Sequence, residues 1–191
     1  MYQEICMWEA LSAVGTLLAV VVALGLALLS GIQKRQDNKR KAGLVAARLL
    51  ETVMLLTEEI RHKMAAFAFY DDERDSGEDG FADEMLMLRR LVDGVSIETI
   101  CALEPLPRKC ANRLAMALGI IDALGREIEY AKARQPWTKM SPEWRQHYTA
   151  RWMSLSISAT DYLHTVMVEL ESVAGVAAPR PSAEETHGSL G

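Results

Sequence analysis

Apolar and polar positions divide this chain into three regimes. From Ala10 to Gln33 no charged residue occurs for 24 positions, and Lys34, Arg35, Lys39, Arg40 and Lys41 follow at once. From residue 42 to residue 178 apolar residues recur at spacings of three and four. From Pro179 the chain turns polar, with Pro and Gly interspersed. At about 1.5 Å of rise per residue the first regime reaches about 36 Å, enough to cross a hydrocarbon core of roughly 30 Å with some tilt. It predicts a transmembrane helix over 10–33. A cleaved signal peptide fits less well, since the n-region carries Glu4 and Glu9 with no Lys or Arg and Leu28 spoils a small-x-small cleavage site. A buried core helix and an uncleaved signal-like hairpin remain as alternatives.

The basic collar over 34–41 sets the orientation. Positive flanks stay on the cytoplasmic side, so the N-terminus is expected outside and the C-terminal domain in the cytosol, at a bacterial inner membrane. Trp8 falls where an interfacial aromatic belongs. Lys34, Arg35, Lys39, Arg40 and Lys41 are candidates for headgroup contact. Within the span, Gly15, Ala19, Ala23, Ala27 and Gly31 recur every fourth position, a ridge on which another helix could pack closely.

The second regime reads as a helical bundle. Leu49, Val53, Leu56, Ile60 and Phe67 form a stripe that continues the first helix past Gly43. Residues 71–80 form an acidic, Gly-bearing turn. A short helix follows over 81–93, with Met85, Leu88 and Val92 (or Leu86) inward. Residues 96–103 suit another short helix or an extended piece. Pro107 suits the first turn of the next helix. There Cys110, Leu114, Ala117, Ile121, Leu124, Ile128 and Ala131 make a heptad seam. Ser141 and Pro142 open a last helix that runs to about Val176, with Tyr148, Trp152, Leu155, Ala159, Tyr162 and Val166 as its buried stripe. The fold class expected is all-α: a single N-terminal transmembrane helix continuing into a cytoplasmic up-and-down helical bundle. The divisions are 1–9 extracytoplasmic, 10–33 transmembrane, 34–41 basic collar, 42–178 bundle and 179–191 disordered tail.

Charge narrows the function. The chain carries −5 overall, which leaves −7 for residues 42–191. Nucleic-acid binding wants a basic face, so it is not expected. Cys6, Cys101 and Cys110 have no metal spacing; the last two read as reduced, semi-buried fillers, and Cys6 could bridge two copies. The acidic turn places Asp71, Glu73, Asp75 and Asp79 as a calcium loop would, but Ser76 and Ala82 stand where the Gly and the bidentate Glu belong. Glu59-x-x-His62 and Asp161-x-x-His164 have di-iron spacing. Both histidines lie about 200° around the helix from the inward residues, so they should face solvent. No catalytic, cofactor or metal residue is assigned, and no enzyme activity is expected.

One cluster invites a function. Trp137, Trp144, Tyr148 and Trp152 lie close together, and residues 126–151 carry a local net charge of +3. Aromatic and Arg residues dominate binding hot spots, and Trp beside basic residues also suits a membrane interface. Trp137, Trp144 and Arg145 are the candidate partner or membrane surface, with Trp137 the best candidate for exposure; alternatively Tyr148 and Trp152 are core and Trp137 and Trp144 pack over the helix–helix corner. The layout recurs in small bacterial and phage membrane proteins, an analogy of architecture that gives no residue a role. The function expected is a single-pass membrane-anchored scaffold that self-associates or recruits a protein partner. A membrane-active effector (a phage lysis or exclusion protein, or a toxin) is the first alternative, and a metal-dependent bundle enzyme the second.

Overall fold

The structure is a computed structural model that describes residues 2–68 and 80–177, with the side chains of 2–16, 19, 66–68, 80–85, 91, 176 and 177 outside the description. The elements are α1 (Tyr2–Ala68), α2 (Gly80–Asp93), α3 (Ile97–Ala102), α4 (Cys110–Arg134), a 3-10 turn (Trp137–Lys139) and α5 (Pro142–Ala177). The fold is all-helical, with no strand among the described residues. The chain divides into two units, Met1–Arg40 and Lys41–Gly191. The expectations for Cys6, Trp8, Phe67, Met85, the acidic turn and the tail from 179 fall outside the description.

In the first unit the described apolar side chains from Leu17 to Ile32 are exposed, as are Lys34, Arg35, Lys39 and Arg40. Among the described residues no helix is long and apolar enough to cross a membrane, so the expected span finds no support there. The uncharged run begins at Ala10, and side chains up to Thr16 and that of Ala19 are outside the description. Of the small-residue ridge, Gly15 and Ala19 fall in that part. Ala23, Ala27 and Gly31 are exposed, and a Cβ added at Gly31 would meet nothing.

The second unit is a helical bundle with one core. The α1 residues Ala42, Ala46, Leu49, Val53, Leu56 and Ile60 are buried at spacings of four and three, so one stripe faces inward. All seven α4 residues from Cys110 to Ala131 on the expected seam are buried in the same core. Each Leu or Ile fully buried there contributes about 1.5–3 kcal/mol. Residues 96–103 resolve as helix, because the Ser96 side chain caps α3 by accepting from the Thr99 N–H at 3.3 Å.

Long-range polar contacts fix the packing. Arg151 on α5 grips Glu127 on α4 at 2.8 and 2.9 Å, and Arg108 just before α4 reaches Glu169 on α5 at 2.9 Å. Early α4 residues thus meet late α5 residues, so the two helices run antiparallel. Arg89 on α2 bridges to Asp122 (3.3 Å) and Glu129 (2.8 Å) on α4. Gly125 lies between those carboxylates, and a Cβ there would stand 3.3 Å from the Arg89 stem. The Thr160 hydroxyl donates to Met64 Sδ at 3.5 Å, tying α5 to α1.

Three expectations need correction. Pro107 is not in the first turn of α4, which starts at Cys110 after Arg108 and Lys109 adopt left-handed φ of 53° and 55°. That turn carries Arg108 to Glu169 and delays the helix. On α5, Trp152, Ala159 and Val166 are buried as expected, but Tyr148, Leu155 and Tyr162 are only partly covered. Ser156, Leu163, Glu169 and Leu170 take the interior, so the inward face sits one residue further round the helix. Cys101 is exposed, not semi-buried, because it lies on the outer side of the six-residue α3.

Candidate functional site

The corner between α4 and α5 is built by seven residues. Gln135 leaves α4 with extended backbone, and its side chain caps the Lys139 carbonyl. The 3-10 turn then rolls Trp137 into the core, where it is fully buried and stacks on Trp152 at 5.4 Å between ring centroids. Trp137 and Arg145 are candidates for a contact surface by sequence; both are buried, so neither contributes one. A short turn exposes only one of its sides, and here the indole supplies more apolar area to the core than any neighbour could. Arg145 is buried because its guanidinium donates to the Met140 carbonyl at 2.7 Å and the Trp137 carbonyl at 3.5 Å. These bonds close the turn over the start of α5.

Trp144 keeps the expected exposure, at 57%. Its ring lies 6.0 Å from Tyr148, whose ring lies 5.6 Å from Trp152. The four rings therefore step from solvent to core as one ladder. His147 stands edge-on to Trp144 at 5.9 Å.

Beside Trp144 the surface is concave. Ala131, Arg134, Gln135, Met140, Trp144 and Tyr148 line a groove of about 290 Å³. The Arg134 guanidinium rests 5.8 Å from the centre of the Tyr130 ring. On the other side of Trp144 a shallower hollow is lined by Ser141, Glu143, Trp144 and His147. Arg134 and Met140 were not singled out by sequence, although Tyr130 and Arg134 have the i, i+4 spacing of a helical cation–aromatic pair.

A second cluster lies at the other end of the α4–α5 pair. Glu169 is 6% exposed and held by Arg108. Cys110 packs near it, and its thiol is pushed up to about 11, chiefly by burial, then by the Glu169 charge, with Arg113 opposing. A thiol so shifted stays protonated at neutral pH and is a poor nucleophile. His62 and His164 are both exposed, as their helical phase requires. Among the described residues no group of three or more His, Cys, Asp or Glu side chains could hold a metal ion.

No protein-family model matches the chain, and no curated protein or solved structure matches it either.

Proposed function

We propose that this chain is a single-pass membrane-anchored interaction protein. Residues 10–33 cross the bilayer with the N-terminus outside. The Lys41–Gly191 unit works at the cytoplasmic face, where it recruits a protein partner, and the ridge from Gly15 to Gly31 brings copies together. The observation that carries the reading is the run from Leu17 to Ile32, whose ten large apolar side chains are all at least half exposed. A contiguous apolar surface of more than a few hundred Å² is not left to water; it marks a membrane or a partner. The exposed cations that follow directly favour the membrane, because they match anionic headgroups. Anchoring confines the bundle to a thin layer and so raises the effective concentration of its partners.

The native cysteines test this. After alkaline carbonate washing the protein should stay in the membrane pellet. In intact cells a membrane-impermeant maleimide should label Cys6, while Cys101 should label only after lysis. Recovery in the carbonate supernatant would refute the anchor, and labelling of Cys101 in intact cells would refute the orientation.

A further inference from the structure

We infer that the groove at the α4–α5 corner binds a partner polypeptide through one large apolar side chain and a neighbouring carboxylate. The inference rests on the reading that the bundle recruits a protein, and it names what that protein must present.

Size comes first. Small-molecule sites hold about 300–1,000 Å³, and about 290 Å³ suits a single large side chain. Ala131, Met140 and the Trp144 and Tyr148 rings supply the apolar part of its lining. Trp144 is backed by Tyr148, which is backed by the buried Trp152 and Trp137 pair. An exposed aromatic on a rigid support loses little freedom when it is covered, which is the character of a hot spot.

Charge comes second. Residues 42–191 carry −7, yet the groove lining holds one cation and no carboxylate. The Arg134 guanidinium lies over the Tyr130 ring, 5.8 Å from its centre, a contact that consumes none of its N–H donors and leaves them for a bidentate carboxylate. No ion pair to Arg134 occurs among the described residues. An acidic ligand residue therefore gains a partner that the bundle itself does not use.

Shape decides against a lipid surface as occupant. A bilayer is met by side chains that protrude, and a concave site lined by Tyr148 and Met140 would stay unfilled. The acidic bundle would also be repelled by anionic headgroups.

The test uses the full chain in phosphatidylcholine nanodiscs. Short random displayed peptides are selected on it, with empty nanodiscs as counter-selection. The winners are made synthetically and titrated by fluorescence anisotropy. The expected winners carry Asp or Glu within a few residues of Leu, Phe or Trp. Arg134→Glu and Trp144→Ala should each weaken them by about tenfold or more. Arg134→Lys should lose part of that affinity, and the exposed control Arg90→Glu none. Replacing the peptide acid by Lys should restore binding to the Arg134→Glu protein. Arg134 and Trp144 lie on the surface, so unchanged thermal melting separates lost binding from lost folding. The inference is overturned if no peptide is enriched, if the winners lack a carboxylate, or if Arg134→Glu binds them equally well. It is also overturned if Arg134 governs capture by phosphatidylserine vesicles instead. Failure of the anchor would show in the carbonate wash, and the same selection is then run on the full chain immobilised without nanodiscs.

Discussion

Arg108 and Lys109 are neighbours with the same left-handed backbone, yet replacing each by glycine should shift stability in opposite directions. An L-residue in that conformation costs about 1–2 kcal/mol, and glycine removes the cost. The freer unfolded chain takes back about 0.4–1 kcal/mol. Lys109 (φ 55°) offers no side-chain cap to α4, so Lys109→Gly should stabilise the bundle by about 0.5–1 kcal/mol. Arg108 (φ 53°) gains the same relief but gives up its contact with Glu169 at 2.9 Å. Stripping the partner from a buried charge costs about 3–5 kcal/mol. The Arg108 side chain is 65% exposed, so solvent screening reduces that to about 2 kcal/mol. Arg108→Gly should therefore destabilise by about 1 kcal/mol net. Per kcal/mol, a domain of this size shifts its melting temperature by about 2–4 °C, so the two variants should melt several degrees apart. Trp137 and Trp152 are fully buried, so their fluorescence follows unfolding of the bundle in the detergent-solubilised chain. In a Glu169→Gln background the difference should vanish and both glycines should stabilise. A rise in melting temperature for Arg108→Gly in the native background would refute the argument, because the ion pair would then contribute nothing.

Three further outcomes follow from the interior. Ser156 Oγ is buried with no hydrogen-bond partner among the described residues, so Ser156→Ala should raise stability in urea titration by about 0.5–1 kcal/mol; a loss of that size would show that the hydroxyl is satisfied. Cys110 titrates near 9.0 when unfolded and at about 11 when folded, so its contribution is complete below pH 9 and is lost as pH rises from 9 to 11, by about 1 kcal/mol at pH 10; Cys110→Ala should flatten that alkaline slope, and an unchanged slope would mean another group causes it. Trp137→Ala should cost about 3–5 kcal/mol, whereas Trp144→Ala should leave the urea midpoint nearly unchanged; equal losses would place Trp144 in the core.

The parts that could be read from sequence are those where one helical face is uniformly apolar. The α4 seam is such a case: from Cys110 to Ala131 every inward position is apolar, the rows beside it are broken by Asp122, Arg126 and Glu129, and only one face can be buried. On α5 two adjacent rows compete. Trp152, Ala159 and Val166 belong to both, while Leu155 and Tyr162 look better on paper than Ser156, and Leu163 is no worse. The structure takes the second row, because a tyrosine can cover its ring and leave its hydroxyl in water, whereas Leu163 and Leu170 are best fully enclosed. The Arg108–Glu169 pair spans 61 positions, and its arginine sits in an unusual backbone conformation. Nothing local in the sequence marks either partner.

Charge counting failed at the candidate site for a related reason. Residues 126–151 carry six cations, which suggests a basic surface. Packing removes most of it. Arg126 turns back to Asp122 at 3.0 Å and Arg151 is held by Glu127, whose hydrogen bonds and charge raise its pKa. Arg145 is spent on two backbone carbonyls inside the corner. Arg126 and Arg151 stay exposed but paired, whereas Arg134 and Lys139 are exposed with no ion pair among the described residues. The net number overstates the attraction for any broad anionic surface, and it says nothing of where the surviving charge lies. Geometry supplies that: one guanidinium at the rim of an apolar groove, beside an exposed tryptophan. A diffuse basic patch attracts anything negative, whereas a single oriented cation next to a hydrophobic recess discriminates between ligands that place a carboxylate beside an apolar group and ligands that do not.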